Sequence, residues 1–104
     1  GMGNMLKMAQ EMQARMQTLQ EELERKTASG SAGGDMVTAV VNGKKELKSL
    51  AISREVVNPD DIEMLQDLIV AAVKDATRKA EEMARSEMAA ITGGMNIPGF
   101  PGMM

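Results

Sequence analysis

The groups in this chain that could do chemistry are its cations and carboxylates, because its 104 residues include no histidine and no cysteine. That composition removes thiolate chemistry, disulfides, Cys/His metal sites and the usual neutral-pH general base. Carboxylate, lysine or serine chemistry remains, and the carboxylates have a plainer use. Asp60, Asp61, Glu63 and Asp67 crowd the start of a helical pattern, where negative charge meets the positive end of the helix dipole. Four acids on a helix do not resemble a calcium or magnesium loop. Gly33-Gly34 is no phosphate cradle and reads as a turn. No catalysis, cofactor, metal or small-molecule substrate is therefore expected.

The cations are more suggestive. Lys7 and Arg15 lie on a first helical pattern, and Lys74, Arg78, Lys79 and Arg85 on a second. At 100° per residue, Lys74, Arg78 and Arg85 fall within about 40° of one another. Such a line suits the phosphates of a nucleic-acid backbone, with the salt dependence that charge neutralisation brings. It also suits a plain solvated face: Glu81 shares the line, and Asp75–Lys79 and Glu81–Arg85 stand four residues apart as weak surface pairs. Lys44, Lys45 and Lys48 come next, although lysines on strand edges also block aggregation. The net charge of −3 argues against a polyanion at first sight. Most of the excess acid, however, sits between Asp60 and Asp67. The single aromatic, Phe100, offers no stacking platform for single strands. No zinc or helix-turn-helix pattern indicates base-specific reading.

Two long helices must position these charges. The second pattern covers about residues 59–92, with Asn58-Pro59-Asp60-Asp61 as its start and Thr92-Gly93-Gly94 as its stop. Between them Ile62, Leu65, Ile69, Ala72, Ala76, Met83 and Ala90 recur at helical spacing, without Gly or Pro. Such a rod is roughly 50 Å long. A compact chain of this size has a radius of gyration near 13 Å, so the helix must overhang its core. Its first half, with Leu65, Leu68 and Ile69, is expected to cover a sheet. Its second half, from about Lys74, holds all four cations and reads as an arm.

The first pattern, residues 2–26, carries Met5, Ala9, Met12, Met16, Leu19 and Leu23 in a heptad seam. Glu11–Arg15, Glu21–Arg25 and Glu22–Lys26 are candidate pairs on its surface. Gly1, ahead of Met2, reads as a cloning remnant. Between the helices, residues 36–41 are β-branched, Asn42-Gly43 suits a type I′ turn, and residues 44–52 return. The return run places Leu50 and Ile52 on one face and Leu47 and Ala51 on the other, so a bulge is expected. Residues 27–34, rich in Ser, Ala and Gly, read as a linker or a short weak strand. An isolated hairpin is barely stable, which asks for a third strand or a covering helix. Met12, Met16, Leu19, Leu23, Val40, Leu50, Ile52, Leu65 and Ile69 are the candidate core or dimer seam. Little of this apolar content is bulky, and self-association is the natural remedy for so thin a core. One domain over residues 2–92 and a flexible tail over 93–104 are expected. No membrane span is apparent.

The succession of these stretches is familiar. Gly3-Asn4-Met5-Leu6-Lys7 leads the Met/Gln-rich helix, followed by Ala32-Gly33-Gly34 and Val41-Asn42-Gly43-Lys44. Glu63-Met64-Leu65-Gln66-Asp67-Leu68-Ile69, Ala71-Ala72, Asp75-Ala76, Lys79 and Glu81-Glu82-Met83 come after them, then Thr92-Gly93-Gly94 and Pro98-Gly99-Phe100. In this order they resemble the YbaB/EbfC family of bacterial nucleoid-associated proteins across nearly the whole chain. The resemblance implies an α+β protomer of order α-β-β-β-α, with a small antiparallel sheet and two long helices. It implies a tweezer-like homodimer joined at its sheet region, in the cytoplasm on the nucleoid, binding duplex DNA with little sequence specificity and altering its conformation. No residue-level motif for DNA contact comes with it. A second reading, from the Met-rich seam and long helices alone, is a prefoldin-like module that clamps a protein partner.

Overall fold

The computed structural model describes residues 1–92, in the order α1 (Met2–Arg25), β1 (Thr27–Ala32), β2 (Val37–Asn42), β3 (Leu47–Ile52), a 3-10 turn (Arg54–Val56) and α2 (Ile62–Thr92). The three strands form one antiparallel sheet in sequence order. This is the expected α-β-β-β-α fold, third strand included. The flexible tail expected at residues 93–104 lies outside the described residues. The molecule measures 71 × 25 × 16 Å with a radius of gyration of 19.3 Å, so its helices do overhang the core.

β1 owes its place to small side chains. Ala28, Gly30 and Ala32 share the face of Val37, Ala39 and Val41 through the β1–β2 register. α2 lies on that face through Ala72, Ala76 and Ala80, all fully buried. Residues four apart on a helix form one stripe, so this Ala stripe lets α2 approach β1 closely. A Cβ at Gly30 would stand 2.1 Å from the Ala76 nitrogen. Asp75 closes the approach, accepting a hydrogen bond from the Ser31 N–H at 3.1 Å.

The hairpin loop holds α1. Gly43 N–H donates to the carbonyls of Leu23 (2.8 Å) and Lys26 (3.1 Å). Asn42 Nδ2 donates to the Glu24 carbonyl at 3.0 Å. The last carbonyls of a helix have no partner within it, so the loop serves as the C-cap of α1. Asn42 is fully buried. Its Nδ2 also reaches Glu46 Oε1, and its Oδ1 accepts from the Lys44 and Glu46 N–H groups. Asn42→Ala removes all four side-chain hydrogen bonds. It is expected to cost about 3 kcal/mol in a urea unfolding titration.

Several local expectations change. Asn42-Gly43 is not a type I′ turn: Asn42 ends β2, and the loop's positive φ falls at Lys45 (68°). Asn42 N–H donates to Glu46 O and Lys45 N–H to Asn42 O, which makes a three-residue loop ending in a left-handed residue. Gly43 is needed there for space, since a Cβ would meet the Leu23 carbonyl at 2.9 Å. The start of α2 also moves. Asn58 to Asp61 is a turn, closed by Asp61 N–H to Asn58 O, with Asn58 Oδ1 accepting from Asp60 N–H. Asp61, not Asn58, then caps the helix by accepting from Met64 N–H.

The expected bulge is present, between Val40 and Val41 in the register with β3. Val40 pairs with Ser49 and Val41 with Leu47, so Lys48 is the extra residue. The insertion turns Leu47 onto the face of Leu50 and Ile52, correcting the alternation read from sequence. That face continues the core, yet all three side chains are exposed. The cause is the position of α2, which packs on the sheet mainly over β1 and β2.

Candidate nucleic-acid interface

On α2 the buried stripe of Ala72, Ala76 and Ala80 fixes which way the cations face. By the 100° rule, Lys74 and Arg85 lie within about 20° of each other and about 180° from Ala76. Both are exposed on the back of the helix, away from the sheet. Eleven residues of helix separate them by about 16 Å. Neither has an ion-pair partner among the described residues.

Arg78 and Lys79 differ. Arg78 Nη2 sits 3.1 Å from Asp75 Oδ1, and its Nη1 3.7 Å from Glu82 Oε2. Lys79 Nζ sits 3.3 Å from Asp75 Oδ2. Asp75 thus gathers the Ser31 N–H and two cations, and these hold its carboxyl below its ordinary pKa, the Ser31 hydrogen bond contributing most. A lowered folded value means that the stabilisation is present above the unfolded pKa and is lost as pH falls through the folded one. Arg78 and Lys79 help fasten α2 to β1 before they are offered to any ligand.

Other pairs also depart from the sequence spacing. Glu81 turns from Arg85 to Lys45 of the hairpin loop, at 3.4 Å. Lys26 joins Glu87 across the helices instead of Glu22, and this hydrogen bond raises its pKa. Glu11–Arg15 and Glu21–Arg25 are not among the ion pairs of the described residues. The arm also changes identity. α2 stays on the sheet as far as Ala80 and then packs on α1, so Lys74, Arg78 and Lys79 ride above the sheet. Of the four cations, only Arg85 lies beyond it. The N-terminal half of α1, bearing Lys7, is what projects.

Arg15 is exposed where α1 passes the end of α2, beside Ala90 and Ile91. Arg25 and Arg54, which the spacing did not single out, are exposed cations without ion pairs among the described residues. They sit at element ends, where periodicity carries no signal. Lys44 and Lys48 are exposed and equally without ion pairs among the described residues. Of the candidate seam, Leu19 and Leu23 are buried, while Met12, Met16, Leu65 and Ile69 are half-buried. Val40 lies on the sheet face turned from α2, and the core valines are Val37 and Val41.

Comparisons with known proteins converge. The model of the YbaB/EbfC DNA-binding family matches residues 1–95. A nucleoid-associated protein of Caldanaerobacter subterraneus is 59% identical over 97 residues, covering 93% of this chain and 87% of the relative. One from Syntrophobacter fumaroxidans is 54% identical over 102 residues, covering 96% and 93%. A crystal structure of the uncharacterized protein HP0035 from Helicobacter pylori aligns with a TM-score of 0.72. It covers 86% of this chain and 94% of that one at 24% identity, a likeness of fold.

Proposed function

Because the chain belongs to the YbaB/EbfC DNA-binding family, we propose that it binds duplex DNA as a homodimer, with little sequence preference, and alters the conformation of the DNA. Family membership and the relatives' names indicate a nucleoid-associated protein rather than an enzyme. A place on the nucleoid in the cytoplasm follows from the same names, and no helix among the described residues is long and apolar enough to cross a membrane.

The observation that carries the proposal is the pair of cations without ion pairs on the back of α2. Lys74 and Arg85 can give their charge to phosphates without first breaking an internal pair. Arg78 and Lys79 cannot. Cations reading phosphates carry no base information, which favours low sequence preference. The dimer is supported by β3. Its outer edge has no neighbouring strand among the described residues, and Leu47, Leu50 and Ile52 extend the core face into solvent. An exposed apolar edge strand is a template for pairing with another chain. β1, by contrast, has Asp75 of α2 bonded to its Ser31 N–H. The protein-clamp alternative draws on the bare methionines at the free end of α1.

The test is a titration of random-sequence duplex at rising salt. Lys74 and Arg85 from two protomers supply four phosphate contacts, for a slope near about −3.6 in log K against log salt. Affinity should then fall about 100-fold or more from about 50 to 200 mM salt. Salt-insensitive binding would sink the electrostatic mechanism, and a monomer in sedimentation at the same concentration would sink the dimer.

A further inference from the structure

The apolar stripe of α1 is covered over only part of its length. By the 100° rule, Met5, Ala9, Met12, Met16, Leu19 and Leu23 lie within about 80° of one another, and Met2 extends the stripe by about 20°. Leu23 and Leu19, at its sheet end, are buried. Met16 and Met12, further out, are half-buried. Beyond them Met5 and Met2 are 72% and 87% exposed. Leu6 and Met8 flank the stripe on opposite sides and are 63% and 67% exposed.

The loss of cover has a plain cause. α2 runs antiparallel to α1: Glu87 meets Lys26, and Ala90 and Ile91 lie beside Ala14, Arg15 and Thr18. Among the described residues α2 ends at Thr92, level with the middle of α1. About twelve residues of α1 continue past that level, a length of about 18 Å. At their tip Met2, Gly3, Met5 and Leu6 line an apolar recess of about 460 Å3.

The bare stretch keeps the spacing of a helix that meets another helix. Met2, Met5, Ala9 and Met12 continue the heptad seam that Leu19 and Leu23 use within the chain. Its two charges, Lys7 and Glu11, lie more than about 120° from the middle of the seam, so a helix laid along it buries neither. A lipid surface calls for several basic residues beside the apolar ones, and residues 2–12 include one lysine. An antiparallel second copy fits in one register, with Met2 against Met12 and Met5 against Ala9. The two Leu6 side chains then close one side of the seam and the two Met8 side chains the other. The overlap covers residues 2–12 and stays clear of the end of α2.

We propose that the free end of α1 pairs, antiparallel, with the same stretch of a second copy. Methionine side chains mould to what they meet, which suits a seam of like with like. The pairing buries on the order of 1,000 Å2 across both copies, the lower bound of specific interfaces, so it is weak and depends on local concentration. Because this end of α1 projects from the core, molecules are joined tip to tip. On DNA the contact links neighbouring molecules or bridges two duplexes. That consequence rests on the proposed DNA binding, whereas the contact itself needs neither DNA nor the β3 edge.

Disulfide trapping tests it, because the chain has no cysteine of its own. Met5→Cys and Ala9→Cys proteins would be mixed in equal amounts under a mild oxidant. Gln10→Cys, about 120° from the seam, measures random collision. In the proposed register Met5 faces Ala9, whereas two copies of either residue are offset by about 6 Å along the axis and out of disulfide reach. The mixed disulfide should exceed the two symmetric ones together by about threefold or more. Chance contact makes these amounts equal, and that result, or cross-linking no faster than in Gln10→Cys, overturns the proposal. An excess of symmetric disulfides marks parallel pairing and overturns it too. All three positions lie on the exposed end of α1, so a failure here leaves the β3 dimer and the DNA interface standing.

Discussion

Gly30→Val is expected to leave the domain largely unfolded. The Cβ alone would stand 2.1 Å from the Ala76 nitrogen, 2.6 Å from its Cα and 2.7 Å from the Asp75 carbonyl carbon. These are backbone atoms in the middle of a helix, so no side-chain rotation relieves the clash. α2 must back away from β1, which opens the packing of Ala72, Ala76 and Ala80 and breaks the Ser31–Asp75 hydrogen bond. A cost above about 4 kcal/mol is expected, out of a total near 5–10 for a domain this small. Gly34→Ala is the control. Gly34 has φ +65° with nothing within 4 Å of its Cβ position, so only backbone strain is added, about 1 kcal/mol. Urea unfolding monitored by circular dichroism separates the two. A Gly30→Val protein as stable as Gly34→Ala would mean that α2 does not depend on this approach.

Reversing the charge of Lys74 and Arg85 together should have the largest effect on DNA. In the proposed dimer the change removes four cations and adds four anions, two of each on the outer face of α2 in each protomer. The salt slope should fall from about −3.6 towards zero, and affinity at low salt by more than about tenfold. Arg78→Ala/Lys79→Ala should cost only about twofold, because Asp75 and Glu82 already take up much of that charge. The Ala variant also frees Asp75, so circular dichroism must accompany the titration. If the Arg78/Lys79 variant loses as much affinity as the Lys74/Arg85 variant, phosphates recruit cations regardless of their internal pairs, and the assignment of the interface fails.

How far the sequence could be read depended on the range of the interactions involved. The two helices, the hairpin and their order followed from periodicity and breakers, which act within a few residues. The bulge followed from counting apolar residues, but its location at Lys48 did not. A one-residue shift there decides that Leu47 joins Leu50 and Ile52. The turn at Asn42 was legible as a turn, while its type depended on the end of α1, whose carbonyls take the Asn42 amide and the Gly43 N–H. The helix start slipped because two capping residues three apart competed, and Asp61 took the cap.

The candidate cations could be named from the sequence but not ranked. Spacing put Lys74, Arg78 and Arg85 on one line and gave them equal weight. Partners from other elements then separated them. Ser31 draws Asp75 onto β1, where it holds Arg78 and Lys79. Lys45 draws Glu81 away from Arg85.

By itself, the sequence determined the kinds of element, their order, the family and the absence of histidine and cysteine chemistry. Those rest on local propensity, composition and a recognisable succession of motifs. Only the tertiary structure decided which strand edge stays open, which half of which helix projects and which cations stay free of ion pairs. The physical reason is the Gly30–Ala76 approach. It lays α2 over β1 and β2, leaves β3 bare and turns Lys74 and Arg85 outward, and small residues signal so close an approach only once the partner surface is known.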